Sequence, residues 1–419
     1  MKTNPDKRCA AVIGNVPWLD KMSGQGVGVG TSGSSCKNVG FDVASPTEIQ
    51  LGRDAIGCKN VKERLLYANP QKKKESIIDA INAGVRRMTF DTMEEAEKIY
   101  SCLDGLESFD CGGSGIELLL RIAVPDGKSR VPLSVKFGCS VEGASDLIKA
   151  ARSKFDETRM RIVGISFHCG SGCEDGDAFV GAVEICRRIF DQVGGLELLD
   201  IGGGFPGVTG GGEDDDLRFE FRSAVKEECR DRDDSNGGDN EKGNTKIMGE
   251  SFIAISEKLR PALEKNFPRG EGQVEVIAEP GRFFFEGAFI FMARIYSKEK
   301  FSSDSGGVER VYWIGDGIEG IFRDVVLVGE SFDPVPLFFE EGGDIEGSVK
   351  LTLERNKKPS GQLYDSIVRG PSNDLNDIVA RKMLPELENG SYLLVDRVGA
   401  YTLSIASRDK NYEVVYLNE

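Results

Sequence analysis

The sequence predicts an α/β chain, a (β/α)8 barrel followed by an antiparallel β domain, on three observations. Apolar runs of strand length alternate with helix-period runs from Gly40 to Arg282, no hairpin signal lies between them, and beyond Phe283 the long helical runs stop. Strands that pair in parallel need a crossover, which a helix supplies, so repeated βα units imply a parallel sheet and seven or eight of them imply a closed barrel. The boundary falls near Phe283, with residues 1–282 as the barrel and 283–419 as the β domain.

Seven runs read as barrel strands: VGFDVAS (39–45), ERLLYAN (63–69), RRMTFD (86–91), IELLLRIAV (116–124), RIVGISF (161–167), LELLDIG (196–202) and VEVIA (274–278). Between them KESIIDAINAG, TMEEAEKIYSCL, EGASDLIKAARSK and FVGAVEICRRIFDQV carry apolar residues at helical spacing. After the boundary FFFEGAFIFMARIYS, VERVYWIG, GSVKLTL, YDSIVRG, SYLLVDRVG and YEVVYLN read as strands of an antiparallel sheet.

The 419 residues carry 69 acidic against 53 basic side chains, a formal charge of -16. That balance argues against nucleic acid or an anionic membrane as partner and favours cationic ligands. Part of it sits in GGGEDDD (210–216) and RDRDDSNGGDNEKGN (230–244), which read as solvated insertions. No run reaches the roughly 20 apolar residues of a membrane helix, and no basic-then-apolar leader opens the chain. The ten cysteines form no CxxC pair, so reduced thiols in the cytoplasm are expected. With one histidine, no metal site is expected.

Chemistry is expected where the strand runs break. His168, the only histidine, follows RIVGISF and opens the small-residue turn Cys169-Gly170-Ser171-Gly172; LELLDIG breaks into Gly202-Gly203-Gly204; VEVIA ends in Glu279-Pro280-Gly281-Arg282. The carboxyl ends of parallel strands are where barrels collect functional groups. A lone histidine is more often packing, and a glycine triplet is weak in a chain of 52 glycines; the three together, in this order, are specific.

These motifs resemble those of the fold-type III pyridoxal-phosphate decarboxylases, of the ornithine type, whose fold is an alanine-racemase-like barrel plus β domain. The resemblance implies pyridoxal 5'-phosphate as cofactor, with His168 flat on its ring, Ser171 and Gly202, Gly203 and Gly204 at its phosphate, Glu279 at its ring nitrogen, and Arg282 and Tyr401 completing the phosphate site. MKTNPD (1–6) then makes Lys2 the lysine that holds the cofactor covalently, with GFDVASPTEIQ and LLYANPQK following in the family's order after an insertion, Ser23 to Asn38. Asp42 and Glu48 match the family's carboxylates near that lysine, and either also reads as a cap or surface charge. On this alignment most of the first barrel strand is absent, and its neighbours' edges are expected to be unpaired.

GPSNDLND (370–377) resembles the loop that a family dimer donates into the partner's active site, implying a homodimer with shared sites, Asp374 facing the substrate's distal amine, and Lys136 paired with Asp377 across the interface. Departures accompany the match. Asn373 stands for a cysteine that directs reprotonation; Pro132 stands for an arginine, with Arg130 two residues away; Glu319 and Leu327-Val328 stand for Tyr and Tyr-Asp, leaving Glu330 as the nearest acid for the substrate's amine. The implied activity is decarboxylation of a small basic amino acid, L-ornithine to putrescine first, with arginine or lysine as alternatives. A catalytically impaired regulator resembling antizyme inhibitor is the reading from another class, and an antizyme-like regulator is the further partner it implies.

Overall fold

The computed structural model describes residues 11–15, 39–57, 60–104, 115–207, 252–269, 273–301, 309–337 and 362–402. They divide into two compact units that meet in sequence between Phe283 and Phe284.

The first unit is a closed barrel. Its strands, in chain order, are β1 (Ala11–Asn15), β2 (Val39–Val43), β3 (Leu65–Tyr67), β4 (Arg87–Phe90), β5 (Ile116–Arg121), β7 (Met160–Ser166), β9 (Leu198–Asp200) and β10 (Glu275–Ala278), with a separate two-stranded antiparallel sheet of β6 (Ser129–Val131) and β8 (Ser171–Cys173). All seven expected strand runs are strands, and every neighbouring pair from β2 round to β10 is parallel. The eighth place was expected to be open. Instead β1 fills it, antiparallel to both neighbours, with Gly14 opposite Ala278 and Ala11 opposite Asp42. Unpaired strand edges present a row of donors and acceptors that an antiparallel strand satisfies as well as a parallel one.

Helices begin where the sequence supplies caps. Ser45, Thr92, Ser140 and Asp175 each accept an amide of the first turn, opening helices Pro46–Ile56, Met93–Cys102, Val141–Lys154 and Gly176–Val193. Their apolar faces cover the outside of the barrel, where Ile49, Ile99, Ile148, Phe179 and Val183 join one buried cluster with the strands.

The barrel interior is layered. Alternate residues of a strand share a face, so β5 turns Glu117, Leu119 and Arg121 one way, and β10 with the residue after it turns Glu275, Ile277 and Glu279 one way. Leu66, Leu119, Val163, Leu198 and Ile277 form the middle, apolar layer. Below it Arg87 pairs with Glu117 at 2.9 Å and Glu275 at 3.4 Å, and Arg161 pairs with Glu117 and Glu197, each at 2.9 Å. Because β4 and β10 are not neighbours, the Arg87–Glu275 pair spans the barrel's amino end.

The second unit corrects the sequence reading. Its six strands are β11 (Phe291–Lys300), β12 (Arg310–Ile314), β13 (Val335–Leu337), β14 (Leu363–Arg369), β15 (Ile378–Pro385) and β16 (Tyr392–Val395), in the order β13-β16-β11-β12-β14-β15. β12 and β14 are parallel, so the sheet is mixed rather than antiparallel throughout. The aromatic run from Phe283 opens as helix, Gly281–Phe285, before β11 begins. β15 was missed because IVARKMLP carries charge inside an apolar run; GSVKLTL and YEVVYLN lie outside the described residues. No helix among the described residues is long and apolar enough to cross a membrane.

Burial raises the Glu117 carboxyl, but the bonds from Arg87 and Arg161 outweigh it and hold it below the usual range. A depressed carboxylate adds stability that is complete above its unfolded pKa, about 4.5, and is lost as pH falls below it. Glu117→Gln is expected to cost about 1–3 kcal/mol at neutral pH, and to flatten the acid loss. Urea denaturation of both proteins at neutral and acid pH reads this, and equal neutral stability refutes it.

Candidate active site

Above the apolar layer, the carboxyl ends of five strands bring ionisable groups together. Asp42 lies on β2, Arg121 ends β5, His168 follows β7, Asp200 ends β9, and Glu279 follows β10. Asp200 is 0% exposed and Glu279 and Arg121 are nearly so. Burial, then Asp200 and Glu48, pushes Asp42 up to about 7, with Arg121 opposing. Burial, then Asp200 and Asp42, pushes Glu279 well above the carboxylate range, and burial raises Asp200 against the bonds it accepts. Three carboxylates, Asp200 and Glu279 buried and Asp42 half-buried, thus face one guanidinium where screening by water is weak. Glu279 Oε1 and Asp42 Oδ1 are buried with no hydrogen-bond partner.

Two glycine turns frame this cluster. Gly202 and Gly204 take φ of +61° and +97°, a region that side chains resist. A Cβ on Gly203 would lie 2.7 Å from the Glu279 carbonyl and 3.0 Å from His168 Nε2, so the imidazole rests against the bare turn. In the other turn Gly170 and Gly172 are also left-handed, and Cys173 N–H donates to the Gly204 carbonyl at 2.7 Å, tying the turn that holds Ser171 to Gly202–Gly204. Burial, then Arg121, lowers His168 to about 3, so its imidazole is neutral, and its buried Nδ1 has no partner. Arg282 follows on the helix that opens at Gly281.

The structure therefore brings together Asp42, His168, Ser171, the three glycines, Glu279 and Arg282. Lys2 lies outside the described residues. Glu48 is the cap of the alternative reading: its amide donates to Ser45 Oγ at 3.3 Å and its carboxylate accepts from Ala44 N–H at 2.6 Å. Arg130 pairs with Glu174 at 2.9 Å, its stem against Gly172, and so is engaged on the two-stranded side sheet.

Sequence reasoning passed over three residues. Arg121 and Asp200 stand inside the quoted strand runs IELLLRIAV and LELLDIG, and a charge on the inward period of an apolar strand was the available signal. Lys72 had no such signal. It is buried with Glu95 at 3.0 Å, and its ammonium also donates to Asn69 O at 2.9 Å and Thr89 O at 2.6 Å, which uses all three donors to lock the loop after β3 onto β4.

In the second unit Asn373 and Asp374 are exposed beside Leu375, which is 84% exposed. Glu330 follows helix Asp324–Leu327, its amide on the Asp324 carbonyl at 3.1 Å, and Tyr401 has a φ of +56°. Within one chain Asp377 and Lys136 are not paired. Asp377 is 1% exposed and accepts from Ile318 N–H and Ser372 N–H, each at 2.9 Å, so its carboxylate organises its own loop. Lys136 is exposed, its ammonium 4.9 Å over the Phe137 ring.

Comparisons agree with this geometry. Residues 34–286 match the family described as "Pyridoxal-dependent decarboxylase, pyridoxal binding domain". Ornithine decarboxylase of Mus pahari is 33% identical over 388 residues, covering 89% of this chain and 68% of that one. Antizyme inhibitor 2 of Xenopus laevis is 31% identical, covering 89% and 69%. Among solved structures, the arginine decarboxylase of Paramecium bursaria Chlorella virus superposes with a TM-score of 0.65 at 23% identity, over 88% of this chain and 81% of that one. A barrel with buried acids and paired glycine turns at its carboxyl end, matched over more than half its length, places this chain in the pyridoxal-dependent decarboxylase family.

Proposed function

We propose that the protein decarboxylates L-ornithine to putrescine with pyridoxal 5'-phosphate at the carboxyl end of the barrel. The observation that carries this is Glu279, a buried acid whose Oε1 has no partner and which stands beside a neutral imidazole and two left-handed glycine turns. The residues fit the cofactor. A ring nitrogen at Oε1 would satisfy the orphaned oxygen, and its positive charge would offset the carboxylate surplus. The backbone amides and Ser171 of the joined turns offer a phosphate nest, with the Arg282 charge following on the helix.

When bound, the cofactor acts as an electron sink for the carbanion left as carbon dioxide departs. Glu279 would hold the ring nitrogen protonated and so keep that sink strong. His168, uncharged, would lie against the ring without opposing its positive charge. Lys2 is the proposed covalent anchor, on the resemblance of MKTNPD to the family's lysine segment. Asp42 stands where the family's carboxylate near that lysine is expected. Tyr401 is proposed to join Arg282 at the phosphate. Asn373 and Asp374 are proposed to act from a second copy of the chain, Asp374 receiving the substrate's distal amine with Glu330 as the second acid. Asn373 can hydrogen-bond but delivers no acidic proton, so slow turnover is expected.

The similarity to antizyme inhibitor 2 favours a second reading: a scaffold that has lost catalysis and binds an antizyme-like regulator. Asn373 and Leu327-Val328 support it.

Carbon dioxide release from ornithine, lysine and arginine by the wild type separates these readings, ornithine being fastest if the first holds. Glu279→Gln should lower kcat about a hundredfold or more while the visible absorbance still reports bound cofactor. Asn373→Cys should raise turnover several-fold; if it brings no gain and no substrate reacts despite bound cofactor, the regulatory reading stands. For shared sites, mixing inactive Lys2→Ala and Asp374→Ala proteins should restore about a quarter of the sites, and no recovery with exchange demonstrated excludes them.

A further inference from the structure

Asp126 is a buried acid that the proposed chemistry leaves without a task. It is 4% exposed and lies in the loop that leaves the barrel after β5 and returns beside it. The neck of that loop is closed by Ala123 N–H on the Cys139 carbonyl and Cys139 N–H on the Arg121 carbonyl, each at 2.8 Å. Inside the loop the carboxylate takes three donors: Oδ2 accepts Leu133 N–H at 2.6 Å and Ser134 N–H at 2.8 Å, and Oδ1 accepts the Ser134 hydroxyl. The Asp126 carbonyl accepts Ser129 N–H at 3.0 Å and the Ser129 hydroxyl at 2.7 Å. Asp126 therefore grips the loop on both sides of β6, at Ser129 where the strand begins and at Leu133 and Ser134 beyond its end.

β6 in turn lies against the turn proposed to receive the phosphate. Ser129 pairs with Cys173 and Val131 with Ser171, and a Cβ on Gly170 would meet Ser129 Oγ and lie 2.8 Å from the Val131 carbonyl. Cys173 N–H donates to the Gly204 carbonyl, so contact runs from Asp126 through β6 and β8 to the second glycine turn. Two strands of three residues each do not hold themselves in water. The ion pairs beside them, Lys128–Asp175 at 2.8 Å and Arg130–Glu174 at 2.9 Å, have cations 76% and 36% exposed, and such pairs contribute little. A buried carboxylate with three donors is the stronger hold. Burial raises it, but the bonds from Ser134 and Leu133 outweigh that and keep it below the usual carboxylate range, so it is ionised at neutral pH.

Resting on the cofactor reading above, we propose that Asp126 is a positioning residue for the cofactor's phosphate: it fixes the loop that carries β6, and β6 holds Ser171 beside the Gly202–Gly204 turn. Its carboxylate is engaged on its own loop, so it acts on the ligand through the turn.

The test uses apo protein and two probes without an aldehyde, 4'-deoxypyridoxine 5'-phosphate and 4'-deoxypyridoxine, which differ only in the phosphate and need no covalent lysine. Calorimetry gives the affinity of each. Asp126→Ala should weaken the phosphorylated probe about tenfold and the other less than about twofold, because only the phosphate turn is released. Asp126→Asn should stay within about threefold of wild type for both, since its amide oxygen can accept the Leu133 and Ser134 N–H groups while its nitrogen donates to the Ser134 hydroxyl. Ser134→Ala removes one bond and leaves both amides held, so its loss should fall between these, and it decides the matter if Asp126→Ala does not fold. Amide hydrogen exchange reads the same relay without ligand: Cys173 N–H should exchange about tenfold faster in Asp126→Ala while the amides of β5 do not. An unchanged ratio of the two affinities, an equal loss for both probes, or unchanged exchange at Cys173 overturns the positioning role alone. Failure of the phosphorylated probe to bind wild type overturns the cofactor reading, and the positioning role with it.

Discussion

An apolar layer one side chain thick separates two sets of charges inside this barrel, and the rest of the unit depends on it. Leu66, Leu119, Val163, Leu198 and Ile277 exclude water between the Arg–Glu ladder at the amino end and the acids at the carboxyl end. Without that seal, water would reach the upper set, and its raised carboxyls would relax toward their solution values. The ladder already meets solvent on its other side, Arg161 being 40% and Glu197 61% exposed. Among the described residues the lower set pairs two arginines with three glutamates, while the upper set has one arginine for three carboxylates and so holds the larger surplus of negative charge.

That surplus is the functional asset. A site holding Asp42, Asp200 and Glu279 against Arg121 alone is primed for a cation, which the ring nitrogen of the proposed cofactor would supply. Burial and Arg121 keep His168 neutral, so on that side the site offers a flat, uncharged surface. The glycine turns do the complementary work of space, because any side chain at Gly202 or Gly203 would collide with the backbone that carries His168 and Glu279.

The second unit presents its loops differently. Asp377 is consumed internally, holding Ile318 and Ser372, and this lifts Asn373, Asp374 and Leu375 into the open. Val135, beside Lys136 in the barrel unit, is likewise 89% exposed. Apolar side chains held out on ordered loops are what a second copy of the chain would cover, which fits the proposed donation of Asp374 in trans.

Seven of the eight barrel strands, their order, and the strand ends that carry His168, Gly202–Gly204 and Glu279 could all be read from period and punctuation, because a buried parallel strand must be apolar and must break where it leaves the sheet. The resemblance of those strand ends to a known family added the cofactor. Other features needed the fold. The antiparallel closure by β1 depends on which edges lie open in space, and the mixed second sheet depends on β12 meeting β14 across 48 residues of chain. Arg121 and Asp200 look in sequence like charges that interrupt a strand. Only closure of the barrel shows that they face inward, that they meet Asp42 and Glu279, and that burial turns four ordinary ionisable groups into one coupled site, since electrostatic coupling depends on distance and dielectric and neither is written along the chain.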